Sequence, residues 1–251
     1  MFYLICATPR VGSNFLCDLL FRTRVAGQPK EFLCHTEVLN KGAEFCGFRS
    51  LAEGTRELNS YFDVMKREFN NEGVFGAKAH FQQFQWALDQ GFDLGRHFPD
   101  RFLFCTRADV LGQAISYLRA SQTSEWIHDH QSRGEPRFDA EILRAVIHQL
   151  VKENQCWESI FETLGVEPYR VSYERLCEDL PGELSEIMRF LDFDPAKVDV
   201  AKAVADGTHR FRVQRDETTF EWRLRYAEYL HQLAREQSKA MAVPSRAPAL
   251  T

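Results

Sequence analysis

Residues 2–20 read FYLICATPRVGSNFLCDLL. The apolar run at residues 2–7 predicts a buried strand, the Pro- and Gly-containing stretch that follows predicts a turn, and residues 13–22 predict a helix. A strand that ends in a tight loop before a helix directs backbone N–H groups and the positive end of the helix dipole at one point. This stretch therefore predicts an α/β fold with a loop that binds a phosphate-like anion.

The loop departs from the nucleotide-binding pattern G-x-x-x-x-G-K-[ST]. Ala7 stands for the first glycine, Ser13 for the lysine and Asn14 for the hydroxyl residue that would bind magnesium, and only Gly12 matches. The positive charge is instead at Arg10, within the loop. This arrangement suits metal-independent transfer of a group from an already activated donor. It disfavours an ordinary magnesium-dependent NTPase. The alternative from the residues alone is a common strand-turn-helix with Arg10 on the surface.

A second strand-helix unit follows at residues 101–122. Residues 101–106 are almost continuously apolar, as in a parallel strand that is covered on both faces, and Arg107 follows the strand directly. Asp109 can cap the next helix, in which Ser116 lies two turns along. Because ligands bind at the carboxyl ends of strands in open α/β sheets, Arg107 could hold a second anionic group of the same ligand. The alternative is a surface ion pair between Arg107 and Asp109, with Ser116 incidental.

Together these segments resemble the sulfotransferases, and most closely the bacterial trehalose 2-sulfotransferase group. Each motif is weak alone, but their order and spacing are specific. The resemblance extends from residue 2 to about residue 226 and rests on five stretches: ATPRVGSNFL at 7–16, VAGQPKEF at 25–32, RAD at 107–109 with QAIS at 113–116 and QT at 122–123, YERL at 173–176 with FL at 190–191, and EWRLRY at 221–226.

The resemblance implies that the donor is 3′-phosphoadenosine 5′-phosphosulfate. It places the 5′-phosphosulfate in the loop, the 3′-phosphate on Arg107 and Ser116, the adenine near Tyr173, and a closing segment at Arg212 and Gln214. The loop residues that it implies are Arg10, Val11, Gly12, Ser13 and Asn14. In many sulfotransferases the loop cation is a lysine, and the bacterial group shares the arginine found here.

Glu31 is the catalytic candidate, together with Arg10. The matching glutamate of the trehalose 2-sulfotransferase group acts as the general base, and an acceptor hydroxyl needs such a base before it can attack sulfur. Without the resemblance, a glutamate after the turn-forming run 27–30 would be taken as solvated. Lys78 and His80, at the end of a predicted strand, are further candidates for contacting the acceptor, although polar strand ends are more often structural.

Other features of the chain indicate what it does not bind and where it acts. His128 and His130 have a spacing that could bind a metal, but they lie in a polar stretch without further ligands, so no metal is expected. The net charge of −5 and the absence of a dense basic run argue against nucleic-acid binding. The seven cysteines include no C-x-x-C pair, which is typical of buried thiols in a reducing cytosol. We therefore expect a cytoplasmic protein without a signal peptide or a membrane span.

The length suits one domain, which we place at residues 1–240, with a disordered tail at 241–251; a homodimer is left open. The predicted fold is a central parallel sheet flanked by helices, with strands at 2–7, 73–80, 101–106 and 169–172 and further helices at 109–122, 138–164, 181–191 and 216–238. The sequence thus predicts a sulfotransferase that acts on a hydroxyl of a carbohydrate-like acceptor, either a small molecule or a glycolipid. The alternatives are a P-loop nucleotide phosphotransferase and a non-catalytic nucleotide-binding protein of the same fold.

Overall fold

A four-stranded parallel sheet forms the centre of the protein in a computed structural model that describes residues 1–124, 134–207 and 216–242. Its strands are β1 (Phe2–Ala7), β2 (Phe75–His80), β3 (Arg101–Thr106) and β4 (Tyr169–Ser172). They lie in the order β2-β1-β3-β4, and every neighbouring pair is parallel. The predicted α/β class and parallel sheet are confirmed, and each predicted strand is present.

Helices cover both faces of the sheet. They are α1 (Ser13–Arg22), α2 (His35–Lys41), α3 (Leu51–Arg56), α4 (Leu58–Glu68), α5 (Phe81–Asp89), α6 (Val110–Thr123), α7 (Ala140–Leu164), α8 (Tyr173–Glu178), α9 (Leu180–Phe190), α10 (Val200–Gly207) and α11 (Glu217–Ala242), with a π-helical turn at Gly42–Cys46 and a 3₁₀ turn at Pro195–Lys197. The predicted helices occur within a few residues of their expected bounds, except that α11 extends beyond its expected end.

Six short helices were not predicted: α2 to α5, α8 and α10. Helix α5 begins at Phe81, directly after β2 ends at His80, so no turn residue separates the two patterns. Helices α2 and α3 are only seven and six residues long, and tertiary packing rather than local pattern forms them. Helix α4 was missed although its apolar pattern is clear, with buried residues at spacings of three and four: Leu58, Tyr61, Phe62 and Met65.

The side chains of β1 alternate between two cores. Phe2, Leu4 and Cys6 pack into an aromatic-rich core on one face, whereas Tyr3 and Ile5 pack into an aliphatic core on the other. Helices α4, α5 and α7 contribute to the aromatic core, and α1, α9 and α10 contribute to the aliphatic core. Because both faces are covered, the central strands β1 and β3 read as nearly continuous apolar runs in the sequence.

The carboxyl ends of the strands meet along one edge of the sheet, because Ala7 pairs with His80 and Thr106 pairs with Ser172. Loop 8–14, helix α5, Arg107 and helix α8 all start from this edge. Parallel strand order therefore brings together the segments that carry the predicted site residues.

A short segment before Glu31 runs beside β2. Lys30 forms a parallel bridge with Ala77, and the backbone N–H of Lys78 donates to the carbonyl of Lys30 at 2.9 Å. Gly27 permits this approach: it has a φ of 74°, and a Cβ there would lie 2.7 Å from the carbonyl oxygen of Val74. The segment delivers Glu31 to the same sheet edge as the loop.

Among the residues that the structure describes, no helix has both the length and the apolar character needed to cross a bilayer.

Candidate active site

Loop 8–14 is held in an unusual backbone conformation. Arg10 and Gly12 both have positive φ, 68° and 82°, and Gly12 is the N-cap residue of α1. No side chain caps this helix end, so no capping oxygen occupies its N-terminus. A Cβ at Gly12 would lie 3.1 Å from the ring of Tyr173, which shows how closely α8 packs against the loop. The N-terminus of α1 is therefore free of a side-chain cap and lies directly against Tyr173.

Four of the residues predicted to bind the sulfate donor contact one another on one side of the loop. Nε of Arg10 donates to Oγ of Ser116 at 2.9 Å, and Nη1 of Arg107 donates to the carbonyl oxygen of Arg10 at 3.3 Å. The guanidinium of Arg107 also lies over the ring of Tyr173, 4.3 Å from its centroid. Ser116 is thus not an incidental helix serine.

Arg107 is largely buried rather than on the surface, although the ion pair with Asp109 that the alternative expected is present. Its side chain is only 9% exposed, and its nearest contact to Asp109 is 3.7 Å. Its Nε is buried and has no hydrogen-bond partner among the described residues. A buried donor of this kind is costly unless a ligand satisfies it. We refer to Arg10, Arg107, Ser116 and Tyr173 as the arginine cluster.

Positive charge accumulates at the arginine cluster. Burial lowers the pKa of Arg10, and the like charges of Arg107 and Arg119 lower it further. Mutual repulsion of buried cations is relieved when an anion binds between them. The cluster therefore suits a phosphate or sulfate group, which agrees with the open helix end beside it.

A second cluster lies on the other side of the loop, around the buried ammonium of Lys78. Its Nζ donates to Oδ1 of Asn14 and forms an ion pair with Oε1 of Glu31. The other carboxylate oxygen of Glu31 accepts from Nε2 of Gln83 at 2.6 Å. Lys78 is 1% exposed and Glu31 is 28% exposed, so the carboxylate lies between the buried cation and solvent.

The ionisable groups of this second cluster shift one another's pKa values. Burial raises the pKa of Glu31, but the charge of Lys78, the neighbouring His80 ring in its protonated form and hydrogen bonds from Lys78 and Gln83 outweigh it and lower the pKa to about 2. Burial and the neighbouring Lys78 lower the pKa of His80 to about 3. At neutral pH, Glu31 is thus ionised and His80 is neutral. A carboxylate that accepts from two donors has a fixed position, as a base that must meet one hydroxyl requires.

Sequence reasoning did not identify the central position of Lys78 or the role of Gln83. It also missed Gln113, whose Nε2 donates to Oγ1 of Thr8 at 2.9 Å and to the carbonyl of Pro9 at 2.7 Å, bracing the loop from α6. One signal was available: a lysine inside a strand whose other residues are small or apolar must find a buried partner.

The remaining site predictions lie outside the described residues: Arg212, Gln214, and His128 to His130. Within the described ranges, no group of three or more His, Cys, Asp or Glu side chains is placed to hold a metal ion.

Comparison with known proteins gives a family match over most of the chain. The sequence model described as Stf0 sulphotransferase matches residues 2–229. The chain is 27% identical over 238 residues to the trehalose 2-sulfotransferase of Mycolicibacterium smegmatis (strain ATCC 700084 / mc(2)155), and the match covers 77% of this chain and 85% of that protein. It is 25% identical over 232 residues to the trehalose 2-sulfotransferase of Mycobacterium tuberculosis (strain ATCC 35801 / TMC 107 / Erdman), with the same coverage.

Solved structures with a related chain course include the sulfotransferase domain from the curacin biosynthetic pathway, with a TM-score of 0.45, 13% identity and coverage of 90% of this chain and 96% of that one. A second is the sulfotransferase domain from the Synechococcus PCC 7002 olefin synthase, with a TM-score of 0.41, 15% identity and coverage of 90% and 94%.

Proposed function

Because the chain belongs to the Stf0 sulphotransferase family, we propose that this enzyme transfers a sulfuryl group from 3′-phosphoadenosine 5′-phosphosulfate to a hydroxyl of a carbohydrate-like acceptor. One observation carries the proposal. The loop that starts α1 lies between an arginine cluster on one side and a carboxylate fixed by Lys78 and Gln83 on the other. The first suits an anionic donor and the second suits activation of a hydroxyl.

The donor is bound through its two anionic ends. The open N-terminus of α1, with Val11, Gly12, Ser13 and Asn14, receives the 5′-phosphosulfate. Arg107 and Ser116 hold the 3′-phosphate, and the unpartnered Nε of Arg107 supports this role. Tyr173 fixes the guanidinium of Arg107 and closes the loop against α8, and it lies where the adenine end of the donor would pass.

Transfer needs one base and one group of cations. The acceptor oxygen attacks sulfur and forms a new S–O bond, while the bond from sulfur to the bridging phosphate oxygen breaks. Glu31 accepts the proton of the hydroxyl, and the electron pair of the broken bond remains on the departing 3′,5′-adenosine bisphosphate. Arg10 and Lys78 stabilise the negative charge that grows on that oxygen. As in phosphoryl transfer, positioning and charge stabilisation supply most of the catalysis.

Lys78 links the base to the donor. A carboxylate with a pKa of about 2 is a weak base at neutral pH, and the ion pair with Lys78 is the main reason for that low pKa. An anion bound beside Asn14 competes with Glu31 for the ammonium of Lys78, because the ammonium touches both residues. As Lys78 turns to the anion, the basicity of Glu31 rises. Donor binding therefore prepares Glu31 to accept a proton.

The acceptor is proposed from the relatives named above, which are trehalose 2-sulfotransferases. Trehalose, another saccharide, a glycolipid or a capsular sugar all present a hydroxyl of the required kind. The cysteine pattern of the sequence, seven residues without a C-x-x-C pair, supports a reducing cytosol as the place of action.

The direct test is incubation of the purified protein with the donor and a panel of saccharides, with detection of sulfated products by mass spectrometry. We expect a sulfated saccharide together with an equal amount of 3′,5′-adenosine bisphosphate. Transfer of a phosphoryl group from ATP, with no reaction of the sulfate donor, would contradict the proposal.

Arg10→Ala and Arg107→Ala should have separable effects. Charge on the bridging oxygen grows only in the transition state, so Arg10→Ala should reduce turnover far more than it weakens binding of 3′,5′-adenosine bisphosphate. Arg107→Ala should chiefly weaken that binding. Calorimetric titration and steady-state kinetics on both variants test the difference, with Arg49→Ala, an exposed arginine, as the control. Equal losses of nucleotide affinity would contradict these roles.

Chelation should leave turnover intact. The loop offers Ser13 and Asn14 where a magnesium-dependent enzyme has its lysine and hydroxyl ligand, so we expect an unchanged rate in excess EDTA. Rates measured before and after chelation, with added Mg²⁺ as the comparison, check this. A rate that is lost with chelator and restored by Mg²⁺ would favour the phosphotransferase alternative.

A further inference from the structure

Helices α6 and α11 are joined by two crossed ion pairs. Arg119 of α6 donates both of its terminal nitrogens to Asp216, just before α11, at 2.8 and 2.7 Å. In the opposite sense, Arg223 of α11 donates to Asp109, the N-cap residue of α6. The residues of the second pair are 114 positions apart in the chain. This second pair lies directly beside the arginine cluster.

The carboxylate of Asp109 has three neighbours. Its Oδ1 accepts from the backbone N–H of Gly112 at 3.0 Å, which caps α6. Its Oδ2 accepts from Nη2 of Arg223, and the same oxygen is 3.7 Å from Nη2 of Arg107. Two guanidinium groups thus face one oxygen: Arg223 is hydrogen-bonded to it, whereas Arg107 forms a longer ion pair without a hydrogen bond.

Space for Arg223 depends on a small residue at position 112. A Cβ on Gly112 would lie 2.2 Å from Oδ2 of Asp109 and 2.4 Å from Nη2 of Arg223. A side chain at position 112 would therefore displace both the capping carboxylate and the guanidinium that it binds.

We propose that Arg223 is a positioning residue for donor binding: it engages the carboxylate of Asp109 and thereby leaves the guanidinium of Arg107 available to the anion. The inference rests on the proposed function, in which Arg107 binds the 3′-phosphate. Without Arg223, the carboxylate of Asp109 is a partly buried charge without its strong partner, and the nearest cation is Arg107. Asp109 then closes the 3.7 Å gap and competes with the donor for Arg107.

The test measures binding of 3′,5′-adenosine bisphosphate by calorimetry to the wild-type protein, three test variants and one control variant. Arg223→Gln should raise Kd about tenfold, within the range usual for coupled sites. The donor KM should rise by a similar factor, while kcat at saturating donor stays unchanged. Arg235→Gln, an exposed arginine on the same helix, is the matched control and should bind as the wild type does.

The decisive variant is the double substitution Arg223→Gln/Asp109→Asn. Asparagine still caps the helix but carries no charge to attract Arg107, so affinity should return to near the wild-type value. Asp109→Asn alone should bind at least as tightly as the wild type. A weak Arg223→Gln variant that is not rescued would show that Arg223 acts only by docking α11, and it would overturn the inference.

Two further results would also overturn the inference. The first is an affinity of Arg223→Gln equal to that of the wild type. The second is a tenfold loss of affinity in Asp109→Asn alone. Measurement of Asp109→Asn tests the inference even if the Arg223 variant does not fold. Failure of the proposed function gives a different result, because the wild-type protein itself would not bind the bisphosphate.

Discussion

Glu31→Gln is expected to lower turnover by about 10²- to 10⁴-fold, the usual contribution of a positioned general base. Glutamine keeps the shape of the side chain and can still accept from Lys78, but it cannot take the proton of the acceptor. The affinity for 3′,5′-adenosine bisphosphate should not fall, because Glu31 carries no donor contact in the proposed mechanism and only competes with the anion for Lys78. Steady-state kinetics with saturating donor, together with calorimetry, measure the two effects separately.

The control for this variant is Glu37→Gln, since Glu37 lies in the first turn of neighbouring α2 and outside the Lys78 cluster. Turnover of the control should match the wild type. If Glu31→Gln kept near-full turnover, the base would lie elsewhere, and His80 would be tested next because it lies close enough to influence the pKa of Glu31. Intact donor binding without turnover in the wild-type protein would instead favour a non-catalytic binding protein.

Lys78→Met is expected to lower turnover by about 10²- to 10³-fold, as when one donor to a developing oxyanion is removed. Methionine fills a similar volume in a site where Lys78 is 1% exposed, so the fold should be kept while the charge is lost. The loss should be in kcat more than in donor affinity, because the proposed contact with the leaving oxygen strengthens in the transition state. Lys152→Met, on the exposed side of α7, is the control.

The pH profile of this variant provides a second, independent readout. In the wild type the pKa of Glu31 is about 2, so protonation of this carboxylate does not limit turnover near neutral pH. In Lys78→Met, burial still raises the pKa of Glu31 and the cation no longer opposes it. The acidic limb of the rate profile should therefore move to higher pH. An unmoved limb would show that Lys78 does not control the basicity of Glu31.

The same shift affects stability, with the sign set by the lowered pKa of Glu31. A carboxyl whose pKa is lower in the folded state stabilises the protein above its unfolded pKa of about 4.3, and this contribution is lost as the pH falls towards 2. The Lys78→Met variant should lack this contribution. Denaturant unfolding of both proteins between pH 3 and about 7 would reveal the difference in slope.

Local pattern was sufficient for the parts of the site that are contiguous in the chain. The strand, loop and helix at residues 2–22 are adjacent segments with distinct periodicity, so the anion-binding loop followed from the sequence. The same holds for β3, Arg107 and α6, because a strand that ends in an arginine before a capped helix is a local signal. The prediction of Glu31 as a catalytic residue came from the resemblance to sulfotransferases, because no local pattern distinguished this residue from a solvated glutamate.

By itself, then, the sequence determined the parallel α/β fold, the loop between β1 and α1 and the position of Arg107 at a strand end, because each depends on neighbouring residues. Tertiary structure alone decided which charges meet. Lys78 and Glu31 are 47 residues apart and Arg223 and Asp109 are 114 apart, and each pair forms only because separate elements pack at one sheet edge. The pKa of Glu31 likewise depends on burial and on the nearby cation, two quantities that exist only in the folded chain.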